Sequence, residues 1–128
     1  MAALSRPYNG RAVTVQSAFA QQHGDPTGTR SSALSVFVPD ALKTGRYDLR
    51  ADCYVHEIAV NEHGRCKSAV YQDADGDFIE QEADVFILGC GAVESARLML
   101  LSRSRRFPHG LANDSDLVGR NATYHEYS

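Results

Sequence analysis

The sequence predicts an α/β fold that contains an antiparallel β-meander and begins with an irregular N-terminal arm. Two polar turns, at residues 61–64 and 73–77, separate stretches of strand-like sequence, which is the pattern of a meander. Four consecutive apolar residues, 85–88, are typical of a strand covered on both faces in a parallel sheet, and glycines and a helical pattern follow them. Residues 1–31, in contrast, have little apolar periodicity.

The N-terminal arm is expected to contain one short helical stretch, at residues 14–22, before a dense turn cluster at residues 24–28. The pattern then tightens from Ser32 onwards. Residues 39–43 are predicted to form a short helix that Gly45 ends, with Lys43 in its last turn. A long irregular arm is uncommon in a compact domain, and it is the first indication that the chain is a fragment of a larger protein.

The strands of the meander are predicted from apolar–polar alternation. Residues 47–50 alternate, residues 53–58 do so approximately, and the strands at 66–72 and 78–82 follow the two polar turns. The second turn contains Asp73, Asp75 and Asp77, spaced like the first ligands of a calcium loop. The glycine and the glutamate that such a loop requires further along are missing, so an ordinary hairpin turn is the preferred interpretation.

The stretch that carries most information is the apolar run at 85–88 with the glycine turn and helix behind it. Strand, turn and helix N-terminus would together present backbone N–H groups that can receive a phosphate. A complete dinucleotide fingerprint is absent, because Glu94 stands where a third small residue is needed and would repel a pyrophosphate. An NAD-dependent enzyme that uses this turn is therefore a weaker alternative.

Composition excludes several classes of protein. The chain has 128 residues, enough for one ordinary domain, and a net charge of −3, which argues against a nucleic-acid or anionic-membrane surface. No apolar run is long enough to span a membrane. The N-terminal residues lack an apolar leader, so a cytoplasmic location is expected unless a signal lies upstream. The three cysteines and five histidines have no metal-binding spacing, and no metal site is predicted.

Several segments, in the right order, resemble the glucose–methanol–choline (GMC) oxidoreductases, in particular the branch that acts on sugars and sugar acids. The resemblance covers roughly residues 7–125 and is carried by segments at residues 6–12, 38–42, 89–102, 107–113 and 117–121. It implies part of a FAD-binding domain of the three-layer, Rossmann-like kind. Residues 1–45 would be the arm and short helix on the substrate-domain side, 46–105 the C-terminal half of the FAD-binding domain, and 106–128 a linker toward the substrate domain.

The resemblance also implies a cofactor and its contacts. The strand at residues 51–55 is similar to the one whose backbone pairs with the adenine of FAD, and the resemblance places this pairing at Val55. The turn at 89–92 is similar to the loop beside the ribose and pyrophosphate. The residues expected to bind FAD are Tyr54, Val55, Gly89, Cys90, Gly91, Ala92, Ser95 and Asn121. No catalytic residue is expected here, and His125 is interpreted as structural.

The function implied is oxidation of a CH–OH group of a sugar or another alcohol, with hydride transfer to flavin N5. We expect the chain to be an internal fragment that is inactive alone, because the family's main pyrophosphate-binding turn and its catalytic base match nothing in it. The alternative is a truncated, non-catalytic relative that serves in binding or assembly. Its apolar surfaces would be covered, whereas a fragment would expose the 85–88 run and the following helix and would self-associate or need a completing chain.

Overall fold

The computed structural model describes residues 2–3, 6–13 and 29–124, which fall into two compact units, residues 1–50 and 51–128. The helix predicted at 14–22, the turn cluster at 24–28 and His125 lie outside the described residues. Among the helices described, none has the length and apolar character needed to cross a membrane.

The first unit contains a short ladder where an irregular arm was predicted. Strand β1 (Ala2–Ala3) pairs antiparallel with β2 (Arg30–Ser31), so the two ends of the arm meet. A π-helical turn, Ala33–Phe37, follows directly. Ser32 begins this turn, because its hydroxyl accepts a hydrogen bond from the Ser35 N–H and the Ser35 hydroxyl accepts one from the Ser32 N–H.

The short helix predicted at residues 39–43 is confirmed. Helix α1 spans Val38–Lys43, and Lys43 in its last turn forms an ion pair with Asp40 at 2.9 Å. This neighbour lowers the pKa of the Asp40 carboxyl group. The chain turns away at Gly45, whose φ of +66° is the left-handed conformation that glycine adopts at helix ends.

The strand predicted at residues 47–50 is wrong, because this segment has no regular structure. Its apolar residues, Tyr47 and Leu49, are 42% and 49% exposed. Alternation produces a strand only where another strand completes its backbone hydrogen bonds, and no strand among the described residues pairs with this segment.

The meander in the second unit is confirmed. Strands β3 (Tyr54–Val60), β4 (Cys66–Gln72) and β5 (Phe78–Glu82) form an antiparallel sheet in the order β3-β4-β5. The bounds of β4 and β5 are those predicted, and β3 starts one residue later and extends two residues further than expected. Two register shifts interrupt the β3–β4 ladder, one between Val55 and Glu57.

The two turns of the meander are each held by an Asx side chain. Asn61 Oδ1 accepts hydrogen bonds from the N–H groups of His63 and Arg65, and Asp73 Oδ1 accepts them from Asp75 and Asp77. Because the Asp73 carboxylate is already used by the backbone, the hairpin interpretation of the acidic turn is favoured over the calcium loop. The described part of the chain contains no cluster of potential metal ligands.

Helix α2 (Gly91–Leu101) packs against β3 and forms the core of the second unit. The buried apolar side chains that pack together in this core are Ile58, Leu98 and Leu111, and Tyr71 on β4 is buried as well. Of the apolar positions predicted on this helix, Leu98 is buried, whereas Val93 and Leu101 are 63% and 49% exposed. Only part of the apolar surface of α2 is therefore covered by the described residues.

No strand forms at residues 85–88, contrary to the prediction. Phe86 and Leu88 pack against the core, whereas Val85 and Ile87 are 75% and 90% exposed. A run that is apolar on both faces becomes a central strand only between two neighbouring strands. The described sheet contains β3, β4 and β5 and does not include this segment, so one side of the run packs against the core and the other side is exposed.

An ion-paired group on the sheet gives a testable pH dependence. Glu80 accepts hydrogen bonds from the buried Ser68 hydroxyl and from Lys67, and these contacts lower its pKa from the ordinary 4.5. A carboxyl group with a depressed folded-state pKa stabilises the fold above its unfolded pKa, and this contribution is lost as the pH falls through the folded value. We expect Glu80→Gln to reduce the decline in Tm below about pH 4.5.

The measurement is Tm between pH 6 and pH 3 for the unchanged chain and the variant. Glu62→Gln, at an exposed position in the first turn, is the control and should leave the acid decline as it is. An equally steep decline in the Glu80 variant would show that this carboxylate does not contribute.

Candidate functional site

The residues predicted to bind FAD lie at three places in the second unit. Tyr54 and Val55 are the first residues of β3, and the turn at 89–92 leads into α2. Ser95 is half-buried on α2, and Asn121 is exposed in the segment that follows the helix. The predicted residues thus lie on one strand, one helix and one loop of the same unit.

The backbone N–H and C=O groups of Val55 point away from β4, toward the outer edge of the sheet. Directly after β4, the Asp73 N–H donates to the C=O of Asp77 on the β5 side. Backbone groups two residues apart in a strand point the same way, so those of Tyr71 also point to β5. Val55 is the register partner of Tyr71. Its N–H and C=O therefore lie on the outer edge of β3, next to the bulge.

Further along the same edge, the side chain of Ser102 takes the place of a strand. Its hydroxyl accepts a hydrogen bond from the Ile58 N–H at 2.8 Å and donates to the Leu98 C=O at 2.7 Å. Ser102 is 3% exposed, so this one hydroxyl joins the end of α2 to the edge of β3. The edge is thus occupied at Ile58, and its N-terminal part near Val55 has no pairing strand among the described residues.

The glycine turn leads into α2 without a side-chain cap. Cys90 precedes the helix, and its side chain makes no capping hydrogen bond. Gly91 has a φ of +82°, and a Cβ there would meet no described atom within 4 Å, so backbone conformation and not space selects glycine. At Gly89 the structure shows neither a positive φ nor a close contact that would require glycine. The turn is exposed throughout residues 89–92.

An ion pair on α2 reaches the start of β3. The Arg97 guanidinium donates to the Glu94 carboxylate at 2.6 Å and lies over the ring of Tyr54, 5.1 Å from its centroid. The carboxylate raises the pKa of Arg97 above its already high ordinary value. Glu94, which the sequence predicts to repel a phosphate, is therefore paired with a cation.

An aromatic cluster continues from Tyr54 across the sheet. The His56 ring lies 4.9 Å from the Tyr54 ring in an edge-on arrangement and 4.9 Å from the Phe78 ring. His56 is the residue at the bulge of β3, and its Nε2 atom is buried without a hydrogen-bond partner in the described structure. The cluster fixes the side chains on either side of Val55 but leaves one polar atom unsatisfied.

The helix and the C-terminal segment line a half-open cavity of about 650 Å³. Ala92 lines it on the helix and Asn121 on the segment, so the structure brings these two predicted residues together. Apolar side chains of α2 line it, as do Arg97, Arg103 and Arg120. Arg120 is paired with Asp116 at 2.6 Å.

The loop that connects α2 to the segment carrying Asn121 is held closely against α2. Gly110 has a φ of +107°, and the Leu111 N–H donates to the Met99 C=O at 2.8 Å. Asn113, 4% exposed, donates through Nδ2 to the His109 C=O and accepts at Oδ1 from the Val118 N–H. These bonds set the path of the segment that carries Asn121.

Sequence reasoning missed two elements of this site. Arg97 was passed over, although Glu94 and Arg97 have the i, i+3 spacing at which oppositely charged side chains pair on a helix. Ser102 was missed as well, and no sequence pattern distinguishes a serine that bonds to a strand edge from one in a helix end.

Comparison with known proteins identifies a family. The family model described as GMC oxidoreductase matches residues 3–127. A 2-methyl-1,2-propanediol dehydrogenase of Mycolicibacterium austroafricanum is 31% identical over 97% of this chain, which corresponds to 22% of the relative. A 6'''-hydroxyparomomycin C oxidase of Streptomyces lividus is 29% identical over 89% of the chain and 21% of the relative.

A third relative is the large subunit of a fructose dehydrogenase of Gluconobacter japonicus, 27% identical over 94% of the chain and 22% of the relative. The chain thus spans about a fifth of the length of the curated relatives that it matches. All three relatives are named as dehydrogenases or oxidases.

Proposed function

The chain belongs to the GMC oxidoreductase family, and from this premise we propose that it is part of the FAD-binding domain of an enzyme that oxidises a CH–OH group of a sugar or another alcohol. In this proposal the chain supplies contacts to the cofactor, and other parts of the enzyme supply the catalytic base. Bound FAD would accept at its N5 atom the hydride that leaves the substrate carbon.

The outward-facing backbone of Val55 carries this proposal. Adenine has a ring-nitrogen acceptor next to an amino donor. A backbone N–H and C=O on an open strand edge match this pair whatever the side chain, and Val55 presents both groups beside a rigid aromatic cluster. The residues present therefore fit the adenine end of FAD.

The turn and the cavity are consistent with the remainder of the dinucleotide. The exposed turn at 89–92 leads to a helix N-terminus without a side-chain cap, where backbone N–H groups favour an anion. Ala92 and Asn121 share one cavity, and three arginines also line it. In the proposed site Gly89, Cys90, Gly91, Ala92, Ser95 and Asn121 line the path from the adenine toward the flavin.

The uncovered apolar surface favours a fragment over a self-contained binding module. Val85, Ile87 and Val93 are 75%, 90% and 63% exposed, and they lie on the two segments that a severed domain would leave bare. Contiguous exposed apolar residues mark surfaces that another segment covers. We accordingly propose that the chain alone has no turnover, because the resemblance assigns no catalytic base to these 128 residues.

Reading the coding DNA on both sides of this segment tests the enzyme proposal. The expected result is one open frame that continues into a strand, a Gly-x-Gly-x-x-Gly turn and a helix upstream, and to a catalytic histidine downstream. Stop codons that close the frame at both ends would contradict the enzyme proposal for this gene product.

A backbone substitution tests the adenine contact directly. We expect Val55→Pro to weaken FAD binding about tenfold, because proline removes the N–H donor, an effect of about 1.4 kcal/mol. Proline is tolerated where the N–H points away from the sheet. The measurement is the dissociation constant from quenching of flavin fluorescence in the purified chain.

Val55→Ala is the matched control, since it keeps the backbone and removes only side-chain packing. We expect its affinity for FAD to stay within about threefold of the unchanged chain. Equal losses in both variants would mean that packing and not the backbone matters, and the adenine assignment would then be wrong.

A further inference from the structure

We propose that Arg97 is a positioning residue that holds the adenine-side strand against the helix behind the glycine turn, through the ring of Tyr54. The inference rests on the proposed function and adds to it a residue that touches neither adenine nor flavin in that proposal. We call the set Glu94, Arg97 and Tyr54 the bridge.

The bridge joins two elements that the cofactor must contact together. Tyr54 is the residue directly before Val55 on β3, and Arg97 is on the second turn of α2. The guanidinium lies 5.1 Å from the centroid of the Tyr54 ring, within the range of a cation–π contact. The contact therefore connects the start of the strand directly to the helix.

Arg97 is itself fixed from the opposite side. The Glu94 carboxylate accepts its Nε–H at 2.6 Å, one helical turn back toward the glycine turn. The Arg97 side chain is only about one-third exposed, so it has less rotational freedom than a surface arginine. The carboxylate thus holds the guanidinium over the Tyr54 ring.

At this end of the strand the core contact comes from Val55, which is partly buried and packs against the cluster of Ile58, Leu98 and Leu111. The core contacts at Ile58 and the Ser102 hydrogen bond lie beyond the bulge, toward the C-terminal half of β3. On the N-terminal side of the bulge, the bridge is the contact that the structure shows between Tyr54 and α2. Without it, the packing of Val55 would be the remaining link between this end of the strand and the core, and FAD would have to fix the position of Tyr54 on binding.

A double-mutant cycle tests this coupling in the purified chain. We expect Arg97→Gln and Tyr54→Leu each to weaken FAD binding about three- to fivefold. The double variant should lose no more than either single variant, because both changes break the same bridge.

Ligand choice separates positioning at the adenine end from a general effect on the fold. ADP contains the adenine and pyrophosphate, whereas riboflavin contains neither. Arg97→Gln should weaken the binding of ADP by the same factor as that of FAD and leave the binding of riboflavin unchanged. Lys43→Gln breaks an ion pair of the same i, i+3 spacing in the first unit and should change neither ligand.

Two outcomes would overturn the proposal. If Tyr54→Leu binds FAD normally while Arg97→Gln does not, and Glu94→Gln restores binding to the Arg97 variant, then Arg97 acts only by neutralising the carboxylate near the phosphates. If the losses from Arg97 and Tyr54 multiply in the double variant, the two residues do not form one unit.

Amide hydrogen exchange tests the bridge without any ligand. We expect Arg97→Gln to speed exchange about three- to fivefold at Tyr54 and its register partner Gln72, and to leave Ala59 and Ser68 beyond the bulge unchanged. Unchanged exchange at Tyr54 would contradict the bridge itself. If the unchanged chain binds neither FAD nor ADP while exchange responds as expected, the proposed function fails and the structural coupling stands.

Discussion

We expect Leu98→Ala to lower the free energy of unfolding of the chain by about 3 kcal/mol. Leu98 is 3% exposed and lies at the centre of a core whose other buried apolar side chains are Ile58 and Leu111. Truncation removes the apolar contacts and leaves a cavity that a sheet on one side and a loop on the other cannot readily fill. In so small a core, one side chain carries a large share of the packing between α2 and β3.

Leu101→Ala is the matched control, three residues further along the same helix. Its side chain is 49% exposed, so the same chemical change should cost less than about 1 kcal/mol. The measurement is urea unfolding followed by circular dichroism, at a low protein concentration because apolar surface is exposed. Equal costs at Leu98 and Leu101 would show that α2 does not pack against the sheet as described.

The parts of the fold that depend on local chemistry could be predicted from the sequence. The turns at 61–64 and 73–77 could be found because Asn61 and Asp73 bond to backbone N–H groups within four residues. The end of α1 could be found because Gly45 adopts a conformation that other residues resist. These signals act over a few residues and depend little on the remainder of the protein.

The segments whose structure depends on distant neighbours could not be predicted. Residues 47–50 and 85–88 have strand-like sequences, yet neither has a pairing strand among the described residues. An apolar pattern predicts a strand if neighbouring elements cover both of its faces. It does not show whether those neighbouring elements are present. The exposed Val85 and Ile87 show this directly.

The candidate site likewise contains some features that the sequence predicts and others that depend on contacts between distant residues. The glycine turn and the strand at Val55 were found from their resemblance to a family, and the backbone direction at Val55 is consistent with that assignment. The Arg97 contact with Tyr54 joins residues more than forty positions apart, and such a contact depends on how α2 packs against β3. Only the local half of the bridge, the Glu94–Arg97 pair, has a signal in the sequence.

We expect Gly110→Ala to destabilise the chain by about 3 kcal/mol, because two separate costs coincide there. Gly110 has a φ of +107°, which an L-residue with a side chain adopts only under strain. A Cβ at this position would also lie 2.9 Å from both the Leu100 Cα and the Met99 carbonyl oxygen. The same carbonyl accepts the Leu111 N–H, so relieving the contact would break the bond that holds the loop against α2.

Gly76→Ala separates the two costs. Gly76 has a similar φ, +90°, in the second turn of the meander, but the nearest atom to its added Cβ would be a side-chain nitrogen at 3.7 Å. This variant should carry the conformational cost alone, about 1 kcal/mol. The measurement is the midpoint and slope of urea unfolding for both variants. A loss at Gly110 no larger than at Gly76 would mean that the loop can move away from α2 freely, and that the path of the segment carrying Asn121 is not set by this contact.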